Sequence, residues 1–410
     1  MKAPLTVTIQ SLAHEGYGFT CLPDGRALFV PFCLPGETVE VRVVREKKTH
    51  AFAQPLGWVR EDRNRAEPRC RHFGECGGCH YQHIPYEVQT GFKQRIFRET
   101  FERIAGIQTP ANLEIIPSPL PWNYRNTLQF RLSRERRLCF ADWLENELFA
   151  VEECLLPMPE IDLAWRELKF DSATVDRVEL RQNQEGDLMI GLHGGADNLP
   201  ELETETTASI VHLDGQDQVI LAGDSFLTMR MLERDFRVSG GSFFQTHFAV
   251  TEILVNAVTG LVEQCGSRSL MDLYSGVGLF SAFLADKAEH ITAVESSALA
   301  CDDYSYNLDT YDHIDLYMGK VEHVLPHLEK TPDCVILDPP RAGMNPKAAE
   351  ALMKLAPPTI IYISCNPATL ARDAQKIAAA GYIMESVLLL DMFPQTYHVE
   401  TVLLMSRAKE

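Results

Sequence analysis

From about residue 250 to residue 406 short apolar runs alternate with helix-forming stretches, and this alternation constrains the fold more than any other feature of the chain. Residues 269–273, 291–295, 314–318, 334–338 and 359–364 have strand length and composition, and each gap is long enough for a helix. Strands linked by helices build a parallel sheet with right-handed crossovers and a helix layer on each face. Two further runs, 383–391 and 399–406, are joined by a turn too short for a crossover, so the final strand runs antiparallel. In such α/β sheets ligands bind beyond the carboxyl ends of the strands. Residues at that rim are therefore the first place to look for chemistry.

The first predicted strand runs into Asp272-Leu273-Tyr274-Ser275-Gly276-Val277-Gly278-Leu279. Gly276 and Gly278 let the backbone approach a ligand closely. Glu295 ends the next strand, where a carboxylate accepts from both ribose hydroxyls. Dinucleotide-binding sheets share this pair, but the third glycine of their fingerprint is missing, with Ser281 and Ala282 in that stretch. The absence tilts the reading toward S-adenosylmethionine. Asp338-Pro339-Pro340-Arg341 ends the fourth strand. Arg341 stands where amino-group methylases carry an aromatic residue, so the target is not an amine held in an aromatic slot.

Cys365 follows the fifth strand in Ser364-Cys365-Asn366-Pro367, just before a predicted helix whose amide dipoles favour a thiolate. An inert buried thiol is the ordinary alternative. Asp338 and Glu400 reverse it, because the topology sends both to the same rim. One Cys, one carboxylate and a methyl donor suit methylation of carbon 5 of uracil. That carbon is a poor nucleophile until a thiolate adds at carbon 6, and a base must afterwards remove its proton.

The N-terminal part reads differently. Residues 4–58 hold short alternating runs separated by turn signals at Pro23-Asp24-Gly25 and Leu34-Pro35-Gly36, the pattern of a small OB-type β-barrel. Eleven cysteines are sparse in 410 residues, and an odd number cannot all pair. Cys21, Cys33, Cys139, Cys265, Cys301 and Cys334 read as small buried hydrophobes. Cys70, Cys76, Cys79 and the distant Cys154 suit zinc or an iron–sulfur cluster equally by donor type. The glycines of Cys76-Gly77-Gly78-Cys79 leave amide N–H groups free for sulfide, which favours the cluster. A helix is expected over 86–105, a hairpin at Asn183-Gln184-Glu185-Gly186-Asp187, and a structural, substrate-shaping role for 90–240.

The formal net charge is −19. Residues 1–60 nevertheless carry seven Lys/Arg against five Asp/Glu, whereas 111–260 carry twelve against twenty-five. This balance argues against a general polyanion-binding surface, so any RNA must be gripped locally. No stretch approaches the roughly 18 apolar residues of a membrane span. No signal-peptide apolar region opens the chain. A cytoplasmic location is expected. No protein partner is implied, and a monomer suffices.

Asp338-Pro339-Pro340-Arg341-Ala342-Gly343, the segment Ser364 to Asp373, the segment Asp391 to Thr401 and Ser242-Phe243-Phe244-Gln245-Thr246 together resemble the RNA (uracil-C5)-methyltransferase family over roughly 240–406. Glu15-Gly16-Tyr17-Gly18 and Phe29-Val30-Pro31 with Pro35-Gly36-Glu37 resemble a TRAM domain, an OB-like RNA-binding module. The resemblance implies a class I S-adenosylmethionine-dependent methyltransferase with a Rossmann-like seven-stranded sheet, an N-terminal TRAM barrel and a central β-rich domain. It implies three spans: 1–58, the RNA-binding barrel; 59–240, the central domain with the cysteine segment; and 241–410, the catalytic domain. Cys365 would be the nucleophile and Glu400 the base. Gln245, Tyr274, Gly276, Gly278, Glu295 and Asp338 would bind S-adenosylmethionine. Cys70, Cys76, Cys79 and Cys154 would hold a [4Fe–4S] cluster, with zinc the alternative.

Two departures from the family stand out, Ser275 for Cys and Leu279 for a polar residue that contacts the cofactor. Tyr397 and His398 are expected to orient the Glu400 loop rather than react. Arg341 and Arg372 read either as phosphate ligands or as structural ion pairs. Barrel and cysteines together point to a uridine in 23S rRNA, with transfer RNA the alternative. A non-catalytic RNA-binding protein with a relic fold would leave Cys365 and Glu400 unexplained. A small-molecule methyltransferase would leave the barrel unexplained.

Overall fold

The computed structural model describes residues 3–144, 147–170, 175–195, 202–215 and 217–407. Six strands, β1 (Leu5–Thr8), β2 (Ser11–Leu12), β3 (Gly18–Cys21), β4 (Ala27–Val30), β5 (Thr38–Glu46) and β6 (His50–Arg60), form the first sheet. Their order is β1-β5-β6-β4-β3-β2. Alternation sends Leu28, Val30, Val39, Val41, Ala51 and Ala53 inward to a common core. Arg65, five residues after β6, closes the barrel's end. Its guanidinium donates at 3.0 Å to both oxygens of the fully buried Glu37, which also accepts from Trp58 Nε1 at 2.9 Å.

Helix α1 (Tyr86–Ala105) and strand β7 (Glu114–Ile116) come next. Although both fall inside the span read as a central domain, they are built onto the C-terminal sheet. The α1 stripe Phe97, Phe101 and Ala105 packs into that sheet's core, and β7 pairs in parallel with a strand near the C-terminus. A three-residue strand carries too little pattern to be read from sequence.

The middle layer follows with β8 (Thr127–Leu132), β9 (Leu138–Ala141), β10 (Leu148–Ala150), α2 (Pro159–Ala164), β11 (Lys169–Phe170), β12 (Val175–Gln182), β13 (Leu188–Gly194), β14 (Leu202–Glu203), β15 (Ser209–Asp214) and β16 (Asp217–Ala222). Its main sheet runs β10-β9-β8-β12-β13-β15-β16, and β12 and β13 form the hairpin expected around Gly186. A second hairpin, β17 (Phe226–Met231) and β18 (Arg234–Ser239), leads into the last layer.

That layer comprises α3 (Phe248–Gln264), β19 (Ser269–Leu273), α4 (Leu279–Leu284), β20 (His290–Glu295), α5 (Ala298–Asn307), β21 (Ile314–Met318), α6 (Val321–Val324), β22 (Cys334–Leu337), α7 (Pro346–Leu355), β23 (Thr359–Ser364), α8 (Pro367–Ala379), β24 (Tyr382–Leu390) and β25 (Glu400–Arg407). The sheet order is β21-β20-β19-β22-β23-β25-β24-β7, with β25 antiparallel to both neighbours. Seven strands match the expectation, and β7 adds an eighth. Strand β23 is buried at all six positions. Its Ile361 and Ile363 face the α3–α4 side, while Ile360 and Tyr362 face α1, α7 and α8. None of the eleven cysteines is in a disulfide. Cys33, Cys139, Cys301 and Cys334 are buried as expected, but Cys21 and Cys265 are exposed, at a strand end and a helix C-cap. Among the described residues no helix is long and apolar enough to cross a membrane.

Candidate active site and cysteine pocket

A cavity of about 650 Å³ opens at the carboxyl edge of the C-terminal sheet. Gln245, Tyr274, Gly276, Glu295, Asp338, Cys365 and Glu400 all line it. Residues scattered over 155 positions thus meet because four parallel strands end, and the antiparallel β25 begins, at one rim. The β23–β25 register explains the closest association: Ser364 pairs with Thr401, so one step further out Cys365 and Glu400 face the same opening.

Gly278 and Leu279 do not line this cavity. Gly278 has φ +89, and a Cβ there would collide with Leu308 and lie 2.9 Å from the Tyr304 ring, so this glycine serves close packing of α4 on α5. Leu279 is buried in the core. Residues the sequence reading missed include Phe243, Lys320, Glu322 and Phe393. Lys320 and Glu322 follow β21, another strand whose carboxyl end meets the rim, and the same topological rule reaches them.

Each candidate ligand is held in place. Glu295 accepts from Gly276 N at 2.9 Å on one oxygen, and from Ser296 N at 2.6 Å and Ser297 N at 2.7 Å on the other. Tyr274 sits in the left-handed region at φ 65, with its N–H donating to Val294 O at 3.0 Å. Gln245 Nε2 donates to Asp338 Oδ2 at 3.3 Å. The middle layer supports that contact, since Asn126 Nδ2 donates to Gln245 O at 2.9 Å.

The electrostatics of the pocket are acidic. Burial, aided by the nearby Asp272, pushes Asp338 up to about 7. Burial and the charge of Asp338 push Glu400 well above the usual carboxylate range. Cys365 is pushed up to about 12 by burial and then by Glu400, with Arg341 acting the other way. The expected helix stabilisation of its thiolate does not prevail. The side chain of Asn366 caps α8 by accepting from Ala368 N at 3.0 Å, and Cys365 lies one residue outside that cap.

Arg341 donates to His398 at 2.8 Å and to Tyr397 OH at 3.3 Å while lining the cavity, so it remains at the mouth. Arg372 is structural: it pairs with the buried Asp373 at 2.9 Å and donates to Ala342 O at 3.0 Å. Tyr397 and His398 pack at a tilt with ring centroids 4.0 Å apart, and His80 meets Tyr397 edge-on at 4.6 Å. His398 N also donates to Thr396 Oγ1 at 3.2 Å, so ring contacts and hydrogen bonds alike hold the pair in place.

The four cysteines of the second constellation also come together. Cys70, Cys76, Cys79 and Cys154 line one cavity of about 400 Å³ with Arg125. Burial and neighbouring thiols push Cys76 up to about 12 and Cys154 up to about 11. The glycines between Cys76 and Cys79 do not both keep free amides. Gly77 N donates to Ala141 O at 3.0 Å because Cys76 bridges to Asp142 beside β9, and Gly78 N donates to Cys76 Sγ at 3.3 Å. A Cβ on Gly77 would sit 2.9 Å from Asp142 O, so close backbone approach explains that residue.

Residues 328–408 match the family model of tRNA (uracil-5-)-methyltransferases, and residues 5–59 match that of the tRNA (uracil(54)-C(5))-methyltransferase TRAM domain. An uncharacterised RNA methyltransferase of Halalkalibacterium halodurans is 30% identical over 97% of this chain and 95% of its own length. One of Aquifex aeolicus is 31% identical over 98% of each chain. The crystal structure of Pyrococcus abyssi tRNA (uracil-54, C5)-methyltransferase in complex with S-adenosyl-L-homocysteine is similar at a TM-score of 0.72 and 26% identity, covering 98% of this chain and all of that one. Rim geometry, barrel and full-length relatives agree, and this chain belongs to the RNA uracil-C5 methyltransferase family.

Proposed function

We propose that this protein methylates carbon 5 of a uridine in structured RNA at the expense of S-adenosylmethionine, with Cys365 as nucleophile and Glu400 as base. The observation that carries the proposal is the meeting of Cys365, Glu400 and Asp338 with Gln245, Tyr274 and Glu295 in one cavity. The donor set fits the methyl donor. Glu295 is a fixed acceptor for a hydroxyl pair, Tyr274 offers a ring, and buried carboxylates favour a cationic sulfonium. Gly276 approaches the ligand through its backbone, whereas Gly278 contributes by packing.

Bound S-adenosylmethionine supplies an electrophilic methyl group. Cys365 gives its proton to solvent and its sulfur forms a bond to carbon 6, moving the π electrons of the uracil double bond onto the carbonyl oxygen at carbon 4. Carbon 5 thereby becomes nucleophilic. After methylation Glu400 takes the carbon-5 proton, the double bond re-forms, and the bond from sulfur to carbon 6 breaks. A carboxylate raised by burial is a stronger base for that step. Asp338 and Gln245 hold polar groups at the reacting end.

The spans we propose are the RNA-binding barrel at 1–58, a central region at 59–240 and the catalytic region at 241–410, with α1 and β7 lent to the catalytic layer. For the second pocket we propose a [4Fe–4S] cluster on Cys70, Cys76, Cys79 and Cys154. A single zinc ion with bonds of about 2.3 Å would draw four thiolates to within about 4 Å of each other. What supports a metal centre is that four thiols line one cavity beside Arg125, whose charge would offset that of the thiolates. Iron and sulfide analysis after anaerobic purification tests this, with zinc as the overturning result.

For the RNA, barrel and cysteines together favour 23S rRNA. Transfer RNA is the second reading, favoured by the family models and by the Pyrococcus abyssi enzyme. Labelled S-adenosylmethionine with separate pools of unmodified 23S rRNA and transfer RNA, beside Cys365→Ala, decides between them. Label as 5-methyluridine in one pool, absent with the variant, is expected. No label in either pool overturns the assignment.

A further inference from the structure

We propose that Asp303 of α5 is a positioning residue for the methyl donor, an inference that rests on the cofactor reading of the reaction cavity. It holds the segment Ser239-Gly240-Gly241-Ser242, which leads from the end of β18 to Phe243 and Gln245 in the cavity wall. Two adjacent glycines give this segment little stiffness of its own, so its path is set by what grips it. A Cβ on Gly240 would lie 2.5 Å from Val211 of the middle sheet, and one on Gly241 2.6 Å from Leu299 of α5. The segment is wedged between the two layers.

Opposite charges grip it from the two sides. From the catalytic layer, the fully buried Asp303 accepts from Ser239 N at 2.7 Å and Ser242 Oγ at 2.6 Å on one oxygen, and from Ser239 Oγ at 2.7 Å on the other. From the middle layer, the buried Arg181 donates to Ser239 O at 3.1 Å and to Ser242 O at 2.8 Å. The carboxylate takes the segment's donors and the guanidinium its acceptors. Hydrogen bonds to buried ions are stronger and more directional than those between neutral groups. Three of the four groups against Asp303 belong to the segment, and the fourth is Arg237, whose Nε lies 3.0 Å away. A carboxylate kept only for the fold would need no more than that ion pair.

The same helix frames the rest of the cofactor wall. One turn beyond Asp303, Asn307 Nδ2 donates to Val277 O at 3.0 Å, between the two loop glycines, and to Arg237 O at 3.1 Å. Its Oδ1 accepts from Arg237 N at 2.8 Å. At the start of α5 the capping residue Ser297 gives its N–H to Glu295. On the segment itself, Phe244 packs into the core while its neighbours Phe243 and Gln245 line the cavity. Glycine loop, Glu295 and Gln245 are thus referred to one rigid element, and Asp303 makes the connection to Gln245.

The test uses the full-length protein, with calorimetric affinity for S-adenosylhomocysteine and initial rates of RNA methylation. Ser242→Ala removes one bond to the segment and leaves the pair of Asp303 with Arg237 intact. It should weaken S-adenosylhomocysteine binding and raise KM for S-adenosylmethionine about fivefold or more, with kcat kept within about twofold. Asp303→Asn should change affinity and KM about tenfold or more in the same direction. Arg237→Met removes the ion pair but keeps apolar cover for the Phe226 and Tyr306 rings. It should leave affinity and KM within about twofold of the parent. Wild-type affinity in Ser242→Ala, or Arg237→Met as damaging as Asp303→Asn, overturns the positioning role. A parent protein that binds no S-adenosylhomocysteine overturns the cofactor reading and this inference with it. Binding that depends on Ser242 in a protein that methylates no RNA would instead sustain the positioning role and overturn the proposed reaction.

Discussion

Lys93 of α1 and Asp391, 298 residues later, form an ion pair of 2.6 Å with both side chains wholly removed from solvent. Asp391 also accepts from Tyr86 OH at 2.9 Å, and Lys93 donates to Phe393 O at 2.9 Å. Four residues on, Gln395 adopts φ 67, with its N–H donating to Gln89 Oε1 at 3.1 Å and its carbonyl accepting from His80 N and Tyr81 N. The segment that ends in Glu400 is thus gripped from α1 and from the residues just after Cys79. Base and cysteine pocket are mechanically linked through this clamp.

Burial pushes the Lys93 ammonium below its ordinary range, and the charge of Asp391 acts the other way. Lys93→Met strands a buried carboxylate and should cost about 3–5 kcal/mol of stability. Adding Asp391→Asn removes the stranded charge and should recover much of the loss. Urea unfolding midpoints measure both. A Lys93→Met protein as stable as the parent would remove the clamp from the account.

Asp338 gives the ligand affinity a pH dependence. With its carboxyl raised to about 7, it is neutral below that pH and ionised above it. A cationic sulfonium should gain affinity as pH rises from about 6 to about 8.5, while the neutral S-adenosylhomocysteine should gain little. Calorimetric affinities for the two ligands across that range give the ratio. A flat ratio in wild type, or one unchanged in Asp338→Asn, would falsify this assignment.

Cys365 should react slowly in the free protein. With its thiol pushed up to about 12, alkylation should lag behind a free cysteine and rise about tenfold per pH unit through neutrality. Arg341 is the cation that offsets the carboxylates, so Arg341→Met should slow alkylation about threefold or more. Peptide mapping by mass spectrometry after timed iodoacetamide exposure isolates this thiol from the other ten.

Gly276 and Gly278 should part company on mutation. Gly276 has φ +54 and open space where a Cβ would stand, so Gly276→Ala should cost about 1–2 kcal/mol and weaken ligand binding. Gly278→Ala adds a collision with Leu308 and Tyr304 and should cost more, with binding in the surviving folded protein little altered. Comparable losses of stability in the two variants would contradict the division of roles.

Much of this molecule was legible as pattern. The alternation from 250 onward specifies strands β19 and β23 to the residue, because buried parallel strands demand apolar runs, and it specifies the partly exposed edge strand β21 as well. Topology alone then sends Glu295, Asp338, Cys365 and Glu400 to one rim. Local pattern cannot carry interactions made at long range. The three residues of β7, the buried pair of Lys93 with Asp391, the use of Arg65 and Arg372 as structural cations, and the packing role of Gly278 depend on which distant segments happen to touch. The raised thiol of Cys365 belongs with them, since burial and charge at a point are properties of the folded surroundings rather than of neighbours in the chain.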